Sequence, residues 1–321
     1  MRRRTHRGHE RRDLAAPRGK RIVSAPFVLS DPVRSALDGG RAVVALETSV
    51  LAQGLPHPRN LEAMEAMTQA ILSRAAEPAW VLVKNGIVQV GASEADLNRL
   101  ATEEVAVKVA RRDLPMVIAG GRLGATTVSA TVWAAGRAGI EVSVTGGIGG
   151  VHLGSGDVSA DLLELARTPG TIVCSGPKSI VDPVATAERI EELGIGLLGY
   201  RCETLPSFLV RQSTIPLEHR ADNPAEVAAV SRARRDLGMA SAILVCNPIP
   251  ADGAMNEGVV SEAVRHCIGQ AARGGVTGKD VTPFLLSCLA ERTGGASLGA
   301  NLALLESNAA LAADIAVSFA S

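Results

Sequence analysis

Short apolar runs alternate with amphipathic stretches along most of the 321-residue chain, and their spacing predicts a succession of strands and helices. Arg41–Glu47 (RAVVALE) reads as a buried strand that ends in a carboxylate and gives way to the turn-rich QGLPHPRN. Leu61–Ala76 has helical spacing. Trp80–Gly91 alternates around Asn85-Gly86, a strong signal for a two-residue hairpin turn. SEADLNRLA starts a helix with Ser93 and Asp96 at capping-box spacing. Val105–Ala110 and Pro115–Gly121 read as strands, and TTVSATVWAAGRAG as a helix closed by Gly139.

Further strands are predicted at Ile140–Gly147, Thr171–Gly176, Gly196–Tyr200 and Ala242–Asn247. Helical stretches separate them: Ser159–Ala166, KSIVDPVATAERIEELG and PAEVAAVSRARRDLG. In the next segment, Val260, Val264, Cys267 and Ala271 form one helical stripe, and two apolar helices, roughly 281–292 and 298–316, close the chain. Strands separated by helices call for a mainly parallel sheet covered on both faces, to which the hairpin adds an antiparallel piece. The expected fold is a three-layer α/β/α domain with a mainly parallel mixed sheet, spanning residues 26–321 without a repeat or a linker.

Composition narrows this picture. Aromatic residues make up only 2%, so the core must be built from Ala, Val, Leu and Ile, which suits close helix-on-sheet packing. No run of about 18 apolar residues appears, so no membrane span is expected. The five cysteines (Cys174, Cys202, Cys246, Cys267, Cys288) are scattered and odd in number, and they read as reduced thiols of a cytoplasmic protein. Residues 1–21 hold nine of the 33 basic groups and two of the 33 acidic ones, leaving the rest of the chain with a net charge of −7. The body therefore lacks a basic footprint for nucleic acid. Residues 1–25 read as a disordered basic extension, with an organellar transit peptide or a misassigned start as the sharper readings; no apolar stretch follows that would make a secretory signal.

In open parallel sheets, ligands collect at the carboxyl ends of strands. That rule selects Glu47, the Thr145–His152 loop, Lys178 and Asn247. Lys178, just past a buried strand, is either a desolvated amine poised to attack a carbonyl or a solvated lysine at a helix start. Lys108 interrupts an alternating apolar run, and either snorkels to solvent or meets an anion in a pocket. Glu47 is either a general acid or a partner for the amides of the next turn. GATTVSAT (124–131) opens a helix where free N–H groups favour an anion. GGIGGVH (146–152) matches neither a P-loop nor a dinucleotide fingerprint, so its glycines serve a phosphate or only backbone geometry. Asp157 and Asp161 flank Ser159 at a helix start, as caps or as ligands of a hard metal. Asn301, inside a nearly all-apolar helix, needs partners from a neighbouring helix or a ligand.

Taken together, the motifs are recognisable. ALETSVLAQGLPHPRNLE, KVARRDLP, GATTVSATVWAA, VTGGIGGVH, DVSADLLELARTP, VCSGPKSIVD, NPIP, VTPFLL and SLGANLALLESNA occur in this order from about Pro26 to Ile315. The ordered set resembles the pseudouridine-5'-phosphate glycosidases. The resemblance implies reversible cleavage of the C–C glycosidic bond of pseudouridine 5'-phosphate to uracil and ribose 5-phosphate. It further implies that Lys178 attacks the sugar C1' and that Glu47 is the proton donor. Lys108, Val128, Ser159, Ala160, Asp161 and Asn301 would contact substrate, and Asp157 would hold a divalent metal, Mn²⁺ above all. A C-glycoside offers no leaving oxygen to protonate, so opening the ribose ring with acid help from Glu47, and an imine on Lys178, suit the problem better than paired carboxylates. A homotrimer is implied, together with a pseudouridine kinase supplying substrate.

Three positions depart from the family pattern. Gln53 stands where a histidine is usual, the loop between His152 and Asp157 is shorter, and GYRCETLPSFLVRQS (199–213) differs from the usual segment. Other readings are an indigoidine-synthesis A-type enzyme acting on a related phosphorylated C-glycoside, a catalytically silent nucleotide-binding homologue, and a Schiff-base aldolase on a phosphosugar. Genomic neighbours separate the glycosidase from the indigoidine type, and release of uracil separates it from the aldolase.

Overall fold

The computed structural model describes residues 26–102, 106–153 and 156–321. The basic extension expected over 1–25, Val105 of the expected strand and Gly154 and Ser155 of the shortened loop lie outside those residues.

Among the described residues one eleven-stranded sheet dominates. Its main path runs Phe27–Leu29, Ile87–Val90, Glu77–Lys84, Val43–Leu46, Val142–Val144, Thr171–Cys174, Ile243–Cys246, Gly196–Tyr200 and Arg220–Ala221. From Glu77–Lys84 onward along that path every pairing is parallel. The antiparallel pairings are those of Glu77–Lys84 with Ile87–Val90 and with Gly124–Thr126. The turn between Lys84 and Ile87 places Asn85 and Gly86 at φ of 54° and 74°, the left-handed pair that an Asn-Gly turn supplies.

Alternate strand residues feed opposite faces, which gives the three layers. Val44, Leu46, Val144, Val173 and Val245 face the helices Arg59–Leu72 and Ala296–Ala320. Val43, Ala45, Val81 and Val83 face the helices Asp31–Asp38 and Val128–Ala138. Ile172, Cys174, Leu244 and Cys246 meet Leu162, Leu165 and Ile190 of two further helices. The mainly parallel α/β/α fold expected from the alternation is therefore what forms. The stripe Val260, Val264, Cys267 and Ala271 is buried along the helix Glu257–Arg273.

The structure corrects two expectations outright. Pro115–Gly121 is not a strand: Leu114–Ala119 is a short helix with Pro115 in its first turn, where the missing N–H costs nothing. The strand lies further on, at Gly124–Thr126, in the stretch expected to open a helix. An apolar run this short has no period of its own, so tertiary packing decides it. Second, Cys267 and Cys288 are joined in a disulfide, with Cα atoms 5.8 Å apart. They are 21 residues apart in sequence and meet only because Glu257–Arg273 and Val281–Arg292 pack together. Cys174, Cys202 and Cys246 are free thiols.

The last helix, Ala296–Ala320, is long and apolar enough to cross a membrane by length and composition, which the absence of an unbroken apolar run had not suggested. Here it is a core helix: Leu304, Leu305, Ala309, Ala312 and Ile315 are buried against the sheet, and its polar Asn308 bonds to strand ends.

Candidate active site

The cavity lies at the carboxyl ends of the parallel strands and holds about 260 Å³. The nine residues to which the resemblance gives a role all line it: Glu47, Lys108, Val128, Asp157, Ser159, Ala160, Asp161, Lys178 and Asn301. Asn247, also at a strand end, does not; its amide donates to Ser307 Oγ at 3.2 Å and to Asn308 Oδ1 at 2.9 Å, a structural role.

Glu47 directly follows Val43–Leu46 and is 5% exposed. One carboxylate oxygen accepts from Ser49 Oγ at 2.5 Å and the other from Thr145 Oγ1. Both donors are hydroxyls, which can also reverse and accept if the acid carries its proton, so the pair suits a group that shuttles a proton.

Lys178 is set by main-chain bonding that prolongs the sheet past its strands. Ser175 N donates to Gly146 O at 2.9 Å, Ile148 N to Gly176 O at 3.1 Å, and Lys178 N to Ile148 O at 2.9 Å. The glycine loop 146–150 thus runs alongside 175–178, and its glycines answer to close approach more than to phosphate. A Cβ on Gly147 would lie 2.7 Å from the Phe208 ring and 2.9 Å from Gly176 O; one on Gly149 would lie 2.3 Å from Ser159 Oγ. Phe208 itself sits at φ of 58°, a costly conformation for an aromatic residue. It is buried against Gly146 and Gly147 and lines the cavity.

Asp161 is held between two elements. Its Oδ1 accepts from Ser129 N, at the start of the helix Val128–Ala138, and its Oδ2 from Gly149 N, both at 3.0 Å. The first turn of that helix therefore already faces one anion, and Asp161 fixes the cavity wall as well as lining it. Ser159 caps its own helix through Asp161 N at 3.2 Å. Asn301 is 8% exposed, and among the described residues its amide has no hydrogen-bond partner. Its polar atoms are not buried ones left unpaired; they face the cavity, where water or a ligand can meet them.

The half-buried lysines and Asp157 share one electrostatic environment around His152. Burial pushes the His152 imidazole below its ordinary value; Asp157 opposes that, while Lys108 and Lys178 add to it. His152 N donates to Asp157 O at 2.8 Å, closing the loop into a short hairpin. Among the described residues no three His, Cys, Asp or Glu side chains converge as a metal cage. The donor set at Asp157, one exposed carboxylate beside an imidazole, fits a hard divalent ion that keeps most of its waters.

Several lining residues carry no role of their own in the sequence. Arg112, Phe208, Thr282, Pro283 and Leu286 sit in segments quoted above, but nothing local marks them individually. Asn308 does not line the cavity but organises it. Fully buried, it donates to Thr145 O at 3.0 Å, Gly146 O at 3.3 Å and Ser175 Oγ at 3.1 Å, and accepts from Asn247. It thereby ties the Glu47 partner Thr145 to the stretch that carries Lys178.

The profile described as indigoidine synthase A like protein matches residues 32–318. A pseudouridine-5'-phosphate glycosidase of Methylobacterium nodulans is 45% identical over 288 residues, 89% of this chain and 86% of that protein. The enzyme of the same name from Staphylococcus aureus is 40% identical, over 90% of this chain and 95% of its own. Among solved structures, a Thermotoga maritima indigoidine synthase A-like protein superposes with a TM-score of 0.85 at 36% identity, covering 92% of this chain and 97% of that one. A prealnumycin C-glycosynthase in complex with ribulose 5-phosphate gives 0.83 at 34% identity, with the same coverage.

Proposed function

The chain belongs to the indigoidine synthase A-like family, and we propose that it cleaves the C–C glycosidic bond of pseudouridine 5'-phosphate, giving uracil and ribose 5-phosphate. One observation carries the reading: Glu47, Lys108, Asp157, Lys178 and Asn301 line one cavity in a chain 40–45% identical to glycosidases of that name over about nine-tenths of its length. A phosphorylated pentose in the C-glycosynthase relative supports the same class of ligand.

The residues divide the work as follows. Lys178 Nζ attacks C1' while the C1'–O4' bond breaks, and Glu47 gives its proton to O4'. The C1'–C5 bond then breaks with a proton passing to uracil C5, leaving an imine between Nζ and C1'. Water adds to the imine, releasing ribose 5-phosphate and freeing the lysine. Ser49 and Thr145 hold the Glu47 carboxyl so that its proton is delivered at one place. Lys108 offers a cation to the phosphate, and Asn301 has both donor and acceptor available for the heterocycle. Asp157, with His152 near, would hold Mn²⁺, which supplies positive charge towards the phosphorylated sugar when bound. The active assembly is a homotrimer, checked by light scattering, and a kinase phosphorylating pseudouridine supplies the substrate.

Purified protein with Mn²⁺ and pseudouridine 5'-phosphate should release uracil and ribose 5-phosphate, separable by chromatography, and lose that activity with EDTA or as Lys178→Ala. A folded, metal-loaded protein that releases no uracil contradicts the reading. The C-glycosynthase relative makes C–C bond formation the second reading; it predicts consumption of ribose 5-phosphate with an acceptor other than uracil.

A further inference from the structure

We infer that Gln53 reads a hydrogen-bond donor of the substrate through its side-chain carbonyl; the inference rests on the glycosidase reading above. Gln53 lies in the single-turn π-helix Val50–Gly54, a geometry that recurs at functional sites, and it lines the same cavity as Glu47. Its Nε2 donates to Ala106 O at 3.1 Å. A carbonyl can only accept, so this bond fixes the amide orientation, since turning the amide over would set oxygen against oxygen. Oε1 is left buried, with no hydrogen-bond partner among the described residues. Buried acceptors almost always have partners. Gln53 lines both this cavity and a second pocket shared with Ala106, Lys108 and Asp113, and a donor entering the cavity completes Oε1 once the side chain shifts to admit it.

The chemistry of the ligand follows from the polarity of that atom. A phosphate dianion brings acceptors only and would be repelled by Oε1, whereas Lys108 and Arg112 in the same wall suit it. Gln53 must instead meet an N–H or O–H, which in the proposed substrate means a uracil N–H or a ribose hydroxyl. The anchored glutamine accepts only and carries no titration, so this chain selects for a donor independently of pH.

The test is a cycle between protein and substrate. Gln53→Met keeps the length of the side chain and removes the acceptor. Uracil release is measured for pseudouridine 5'-phosphate and for its N1-methyl, N3-methyl, 2'-deoxy and 3'-deoxy analogues, with wild type and variant. The loss of one buried hydrogen bond should lower kcat/KM about 10- to 100-fold, mainly through KM. One analogue should lose a similar factor with wild type and almost nothing further with the variant, which identifies the donor. A second variant, Gln53→His, should give KM a titration near neutral pH that wild type lacks. Unchanged kcat/KM in Gln53→Met, or equal analogue losses in both proteins, overturns the inference while leaving the glycosidase reading intact. A wild type that releases no uracil overturns both.

Discussion

The floor and one wall of the cavity are built on different principles. On the floor, each group is fixed by hydrogen bonds at the strand ends: Glu47 by Ser49 and Thr145, Asp161 by two main-chain amides, and the Thr145 and Gly146 carbonyls and the Ser175 hydroxyl by Asn308. The wall formed by Thr282, Pro283 and Leu286 comes from a helix outside the sheet layers. Behind it lies a small apolar cluster of Ile180, Val181, Cys267, Ala271, Leu285 and Cys288, pinned by the one disulfide found among the described residues. A directional network holds atoms to a fraction of an ångström, as proton transfer and nucleophilic attack require. Apolar packing tolerates side-chain change more readily and suits a surface that only excludes water. The contrast says where substitutions should stop chemistry and where they should only loosen the fold.

The largest effects should come from the floor. Lys178→Ala removes the proposed nucleophile and should lower kcat by about 10⁴-fold or more with the fold intact by circular dichroism. Glu47→Gln keeps the shape but not the acid, and a loss of about 10²- to 10⁴-fold in kcat is expected. Asn308→Ala touches no substrate, yet it leaves several buried groups unpaired. Denaturant unfolding should show a loss of about 2–4 kcal/mol, and kcat should fall while KM changes little. Were Asn308→Ala as active as wild type, the floor would not be the organised unit described here.

The wall should respond otherwise. Cys267→Ser with Cys288→Ser should remove about 3 kcal/mol of stability under oxidising conditions, the scale for closing a loop of this length, and leave kcat near wild type. A kcat that collapsed with the disulfide would erase the contrast between the two regions. The smallest effect concerns His152. Its pKa is lowered in the fold, so the unfolded chain takes up the proton first as pH falls, and its contribution to stability is complete above about pH 6.5 and fades as pH drops below that. Unfolding of His152→Gln should lack that part of the acid slope.

How legible this was depended on the kind of signal. Asn85-Gly86 and the stripe from Val260 to Ala271 carry local periodicity or turn chemistry, and the fold follows them. Pro115–Gly121 carries neither, and its neighbours made it a helix. The strand-end rule and the resemblance together brought Glu47 and Lys178 into view, although their surroundings in sequence left each role open. Asn308 and Phe208 were invisible for another reason. Asn308 is one amide among several polar residues of an apolar helix, and only its spatial neighbours Thr145, Gly146 and Ser175 give it meaning. The left-handed backbone of Phe208 goes with a ring packed on Gly146 and Gly147, far away in the chain.

The covalent role of Lys178 is the central claim, and borohydride reduction tests it most directly. Protein incubated with ribose 5-phosphate and reduced should gain the mass of one pentose phosphate, mapped by peptide mass spectrometry to Lys178. No adduct on an enzyme that releases uracil, or an adduct confined to another lysine, would contradict the account.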